Sequence, residues 1–182
     1  SELLDLDLTN RPIRIADHCY GCTAGGFLKG PQYDRDMNAG IRALTGIPGT
    51  TSASAITDAL NAMGAQRIAV ATAYEPWLNE RTRQYLEAAG FSVLAIEGFG
   101  TQAHAAVTPE RVAALAKQVN RAEAQAIFIG CSNLRTLDVI EALEQELGKP
   151  VITSNQASMW SMLRLTGNRD AVAGAGRLFR EA

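Results

Sequence analysis

No stretch of the 182-residue chain approaches the ~20 consecutive apolar residues that a membrane-spanning helix needs, so a membrane is not an expected partner. Nor is there a surplus of basic charge. Seventeen Lys and Arg stand against 19 Asp and Glu, a formal net charge of −2, which leaves no electrostatic footprint for nucleic acid or anionic lipid. The opening segment, SELLDLDLTN, has neither the basic start nor the apolar core of a secretory leader. Cysteine is scarce and odd in number, three, in a chain large enough to bury a core without a disulfide. A reducing, cytoplasmic setting is therefore expected. Aromatics are few at 6%, while Ala and Gly are abundant within a 47% hydrophobic composition, which suits closely packed helix-on-sheet layers.

From residue 50 onward strands and helices alternate regularly. Thr51 or Ser52 can cap a helix carrying Ile56, Leu60 and Met63 and closed by Gly64. Arg67 to Thr72 reads as a buried strand, and Pro76 opens a helix that runs through Leu78, Tyr85 and Leu86 to Gly90. Phe91 to Ile96 is the next strand. Thr108-Pro109-Glu110 then starts a helix with Val112, Leu115, Ala116 and Val119 at helical spacing. Ala126 to Gly130, Leu137 to Leu147 ending at Gly148, Pro150 to Thr153, and Gln156 to Leu165 continue the alternation as strand, helix, strand and helix. Short, wholly apolar strands between amphipathic helices imply a parallel sheet covered on both faces. Right-handed crossovers then place every strand-to-helix loop on one edge, where ligands bind in such folds. The first 50 residues are less orderly: Pro12 to Tyr20 reads weakly as a strand, and Asp34 to Leu44 as a helix ended by Gly46.

One local pattern occurs twice. A strand followed by Gly-Cys-Ser/Thr and then a loop into a helix is found at Cys22 (GCTAGG) and again at Cys131 (GCSNLR). A thiol among backbone amides near a helix start has its thiolate stabilised, as a nucleophile or base requires, and nearby amide and hydroxyl donors suit a carboxylate or a developing enediolate. Against this stands the plain reading of two buried cysteines at strand ends, which the repeated context weakens. Cys19-Tyr20-Gly21-Cys22 formally matches a dithiol redox motif, but its first cysteine lies inside the presumed strand, where a core role fits better. A zinc site from His18, Cys19 and Cys22 would need a fourth ligand from His104 or Cys131. Gly98 to Ala103 fits the loose dinucleotide pattern, yet the helix restarts only at Thr108-Pro109, so nucleotide binding is not expected. Tyr74 ends its strand on the same edge as Cys131, with its hydroxyl free for a carboxylate, and Asn79 can brace that loop. His18 and His104 show no partner, so no Cys–His pairing is expected, and Trp77 and Trp160 read as packing residues.

The segments GCTAGGFLKG (21–30), ATAYEPWLNER (71–81), GCSNLRTLDVIEALEQELGKPV (130–151) and TSNQASMW (153–160), with GAGRLF near the end, together resemble the aspartate/glutamate racemase superfamily. The similarity is to its branch of maleate cis–trans isomerases, arylmalonate decarboxylases and ectoine-utilisation proteins. The resemblance implies two similar doubly wound α/β lobes related by a pseudo-twofold, with the active site in the cleft between them. Residues 1–65 plus 155–182 would form the first lobe and 66–154 the second. It maps the catalytic pair onto Cys22 and Cys131, the carboxylate-binding tyrosine onto Tyr74, and further substrate contacts onto Thr23, Ala24, Ser132 and Asn133. Arylmalonate decarboxylases are similar but carry glycine in place of Cys22, so two thiols favour an isomerase or racemase.

Members of the branch carry ~50 further residues before the first cysteine, within the size of such a lobe. Only 21 precede Cys22 here, so the first lobe is expected to be short of its first strand and loop through omission from this sequence rather than true truncation, since a missing strand would expose a long sheet edge. The expectation is a cytoplasmic isomerase or racemase of a small carboxylate or dicarboxylate, needing neither cofactor nor metal, with a homodimer as the default assembly. The alternatives are a decarboxylase of substituted malonates that uses Cys131 as proton donor, and a non-catalytic small-acid binding protein.

Overall fold

In the computed structural model residues 15–182 are described. The chain folds as strands β1 (His18–Tyr20), β2 (Gly49–Thr51), β3 (Arg67–Thr72), β4 (Ser92–Gly98), β5 (Ala126–Gly130) and β6 (Val151–Thr153). Helices α1 (Thr23–Phe27), α2 (Gly30–Thr45), α3 (Ser52–Ala62), α4 (Pro76–Ala88), α5 (Pro109–Val119), α6 (Leu137–Leu147), α7 (Ser154–Leu165) and α8 (Arg177–Glu181) connect and follow them. All pairings are parallel. One sheet has the order β4-β3-β5-β6, and a second, smaller sheet pairs β1 with β2. This is the mixed α/β architecture that the alternation implies. No helix among the described residues is long and apolar enough to cross a membrane.

The four-stranded sheet is buried on both faces, and the period of two along each strand divides the core. Ile68 and Val70 of β3, Ala126 and Phe128 of β5 and Ile152 of β6 face a cluster with α3, α4, α7 and α8. Ala69, Ala71, Ile127, Ile129 and Val151 face the opposite way, onto Val112, Leu115, Ala116 and Val119 of α5 and Ile140 and Leu143 of α6. Burying a side chain such as Ile127 or Phe128 fully contributes about 1.5–3 kcal/mol. The first cluster also takes in Phe27 of α1 and Ala53, Ile56 and Leu60 of α3, so the helices that follow β1 and β2 share the core of the larger sheet.

The helix signals act as expected. Thr51, Thr108 and Thr153 accept from the backbone amides of Ser54, Arg111 and Gln156, and Thr153 with Gln156 completes a capping box. Gly148 closes α6 in the left-handed conformation. Several boundaries differ from expectation: β4 runs on to Gly98 rather than Ile96, and α7 starts at Ser154 rather than Gln156. Helix α2 begins at Gly30, with Pro31 in its first turn, four residues before Asp34. Of the weak strand Pro12 to Tyr20, only His18–Tyr20 pairs, while 12–14 lie outside the described residues.

Candidate active site

Strand β1 ends at Tyr20 and β5 at Gly130, so Cys22 and Cys131 each follow the carboxyl end of a strand, in different sheets. The two Gly-Cys-Ser/Thr steps meet directly. Thr23 Oγ1 lies 2.9 Å from Ser132 Oγ, and Ser132 Oγ donates to the Gly21 carbonyl at 2.8 Å. Because the single Ser132 hydrogen is committed to that carbonyl, Thr23 must be the donor in the hydroxyl pair. The Tyr74 hydroxyl faces the same Thr23 oxygen. Thr23 and Ser132, expected as free donors to a substrate, thus bond to each other and clasp the two sheets together. Asn155 Nδ2 adds a bond to the Ser132 carbonyl at 2.9 Å.

Cys131 is buried, 7% exposed, and has a φ of 128°, a region that residues other than glycine rarely adopt. Such a conformation costs about 1–3 kcal/mol and persists where surrounding bonds enforce it. Here the Cys131 amide donates to Ser154 Oγ at 3.1 Å, and Leu134 donates back to the Cys131 carbonyl at 3.2 Å. The amides of Asn133 and Leu134 reach the thiol and favour its ionised form, but burial outweighs them, and charge on Cys22 pushes the same way. The net direction is upward, so Cys131 rests as a neutral thiol, contrary to the expectation of a stabilised thiolate. Burial, a tertiary property, overrides the local amides.

Cys22 is exposed and stands at the N-cap position of the five-residue α1, with no capping bond from its side chain. Its Sγ and the Tyr20 hydroxyl both crowd the position where a Cβ on Gly25 would stand, at 3.2 and 2.9 Å. Charge on Cys22, with burial and a hydrogen bond between the two side chains adding to it, holds the Tyr20 hydroxyl above its ordinary value. Tyr74 is 3% exposed. Burial first, then charge on Cys131 and Cys22, pushes its hydroxyl well above the ordinary tyrosine range, with Thr23 pulling the other way. Tyr74 is therefore a neutral donor at the junction of the two thiols.

Asn79 braces the Tyr74 loop as expected: Thr72 Oγ1 donates to Asn79 Oδ1 at 2.6 Å and accepts from the Tyr74 amide at 3.0 Å. Ala24 is half-buried against the α5–α6 side of the core. The Asn133 side chain is exposed and lines, with Ser132, Arg135, Asn155 and Met159, a neighbouring cavity of about 510 Å³; only its amide reaches Cys131. Cys19 is half-buried between Ser52 and Ser158, and burial raises its thiol. No group of three or more metal-ligating side chains comes together among the described residues.

Two further expectations are overturned. His104 does have a partner: its Nδ1 lies 3.4 Å from Cys131 Sγ, and its ring meets Tyr74 edge-on, with centroids 6.2 Å apart. Trp77 is not a packing residue. It is 58% exposed, with its indole N–H on Glu75 Oε2 at 3.1 Å, because the first turn of α4 points that side away from the sheet. Trp160, by contrast, is buried in the core. His104 and Tyr20, beside Cys131 and Cys22, carry no sequence motif of their own. Their one signal is position: Tyr20 ends β1, and His104 lies in the loop that follows β4, on the edge that carries the cysteines.

The arylmalonate decarboxylase family profile matches residues 20–179, nearly all of the described chain. The chain belongs to the arylmalonate decarboxylase family. It is 32% identical over 166 residues to the arylmalonate decarboxylase of Bordetella bronchiseptica, covering 88% of this chain and 69% of that protein. Over 171 residues it is 31% identical to the maleate isomerase of Nocardia farcinica, covering 89% of this chain and 68% of the relative. Among solved structures, an alanine-for-cysteine variant of the maleate isomerase from Pseudomonas putida S16 with maleate superposes with a TM-score of 0.88 at 27% identity, over 92% of this chain and 71% of that one. A serine-for-cysteine mutant of the Nocardia farcinica enzyme with a covalently bound succinylcysteine intermediate gives 0.86 at 29% identity, over 90% and 71%. The two-lobed α/β fold of these family members is the fold of this chain.

Proposed function

We propose that this family member is a two-cysteine isomerase of a small dicarboxylate, working without a cofactor and converting a cis-alkene diacid such as maleate to its trans form. The observation that carries the reading is the pairing of an exposed thiol, Cys22, with a buried one, Cys131, across hydroxyls bonded at 2.9 Å. Charge on Cys22 favours the protonated form of Cys131, so the pair is suited to hold one thiolate and one thiol at once. In the reaction, the Cys22 thiolate adds to one alkene carbon, and the Cys131 proton goes to the other. This leaves a succinyl thioether on Cys22 and a thiolate at Cys131. The former double bond is now single and rotates. Cys131 then takes a proton back from carbon, the C–S bond breaks with its electrons returning to Cys22, and the trans acid leaves. Tyr74, a neutral donor, holds a carboxylate, with Thr23, Ala24, Ser132 and Asn133 as the surrounding wall, the Thr23 and Ser132 hydroxyls bonded to each other. The succinylcysteine intermediate of the Nocardia farcinica relative is the adduct this sequence requires. Residues 66–154 are taken as the second lobe, and the segments on either side of them as the first.

A decarboxylase reading has support from the family profile and from the Bordetella bronchiseptica relative. There Cys131 alone would protonate the carbanion left by CO2, and Cys22 would have no role. A racemase reading would use the two thiols as opposed acid and base. Product analysis with maleate, aspartate and a methyl-aryl malonate separates the three. The expected result is fumarate from maleate, with at least ~100-fold loss in each of Cys22→Ser and Cys131→Ser. Full turnover in both variants, or decarboxylation of the malonate as the sole reaction, overturns the proposal.

A further inference from the structure

Cys131 must pass from thiol to thiolate and back in each cycle, yet its side chain is buried, where a charged sulfur is disfavoured. One ring lies against that sulfur. His104 is half-buried, and its Nδ1 sits 3.4 Å from the sulfur, within the range of a bond involving sulfur. The ring is held rather than loose. The loop after β4 is tied to the end of β3 and to Tyr74 by amide bonds from Phe99 to the Thr72 carbonyl at 3.1 Å, Gly100 to Tyr74 at 3.2 Å and Thr101 to Ala73 at 3.3 Å. A 3₁₀ turn, His104–Ala106, is pinned by the Ala106 amide on the Ala103 carbonyl at 3.0 Å and by the buried Val107. Tyr74 then meets the imidazole edge-on.

We propose that His104 is the proton partner of Cys131. Once Cys131 has acted as base and recovered the proton from carbon, Nδ1 takes that proton on: the S–H bond breaks, an N–H bond forms, and the electron pair stays on sulfur. The reverse transfer restores the thiol when Cys131 acts as acid. The thiolate formed in this way faces an imidazolium and the amides of Asn133 and Leu134, three groups that offset its burial. Among the described residues, the titratable groups facing Cys131 are His104, Cys22 and Tyr74. The assignment deepens the two-cysteine reading and rests on it for its catalytic meaning, but it can be tested without any substrate.

The test is the pH dependence of iodoacetamide alkylation at Cys131 in the 182-residue chain, resolved from Cys19 and Cys22 by peptide mass spectrometry. In His104→Ala the midpoint moves up by about one pH unit and the rate at pH 7 falls about tenfold, while Cys22 alkylates as before. His104→Gln keeps a hydrogen-bonding group but no titrating one, and behaves as the alanine variant does. A ring that merely packed against the thiol would, on removal, open the pocket, speed alkylation at every pH and leave the midpoint unmoved. That result overturns the proposal. With maleate as substrate, kcat falls about 100-fold and KM stays within about twofold. If the unaltered chain turns over no maleate, the reading of function fails, yet the alkylation midpoint still decides the role of His104.

Discussion

Gly98 ends β4 opposite Thr72, and an alanine there puts a methyl group where the site has no room for one. Its Cβ would overlap the Tyr74 carbonyl oxygen and lie 2.7 Å from both Asn79 Nδ2 and Thr72 Oγ1. These atoms cannot simply retreat. Thr72 and Asn79 bond each other, Thr72 also receives the Tyr74 amide, and the Tyr74 carbonyl accepts from Gly100. One forced methyl in such a setting costs about 1–3 kcal/mol, and losing one buried hydrogen bond adds about 1 kcal/mol. The expected destabilisation is therefore about 2–4 kcal/mol. For a chain of this length that lowers Tm by roughly 5–15 °C, read by circular dichroism or differential scanning calorimetry. Displacing the Tyr74 backbone by up to ~1 Å also costs up to ~100-fold in turnover, since positioning at that level governs rate. Glycine is needed here for space and not for backbone freedom. A Gly98→Ala protein with unchanged Tm and turnover would show that the Tyr74 loop is not braced as described.

Gly40 gives the opposite expectation: it is exposed in the middle of α2 and a Cβ there meets nothing, so Gly40→Ala raises stability by about 0.5–1 kcal/mol, measurable in urea unfolding. Tyr74→Phe removes a neutral donor from the proposed carboxylate site. A bond to a charged group contributes about 1.5–3 kcal/mol, so KM for maleate rises ~10- to 100-fold in steady-state assays. The pH profile has a definite sign. Burial and charge at Cys22 raise the Cys131 thiol, and an acid is lost as pH rises through its pKa. The alkaline limb of kcat/KM therefore falls above the ordinary thiol value of about 8.5. An alkaline limb at or below that value contradicts the acid role assigned to Cys131.

Much of this protein is decided over short distances along the chain. Apolar runs such as Arg67–Thr72 and Ala126–Gly130 form strands at those bounds, and Thr108 with Pro109 and Gly148 mark helix ends, because caps and periodicity act within a turn or two. The same logic locates Cys22, Cys131 and Tyr74, since the end of a parallel strand is where its loop meets a ligand. Family segments supply their expected roles. Tertiary structure decided what those groups are chemically. Cys131 and Cys22 share a local pattern, yet one is buried and protonated and the other exposed. His104 stands 27 residues from Cys131 and reaches it only because the loop after β4 folds back along β3. Thr23 and Ser132, 109 residues apart, become each other's partners when two sheets close on one another. Ionisation and hydrogen-bond commitment depend on which groups exclude water from which. That follows from packing between distant segments, and local sequence pattern does not encode it.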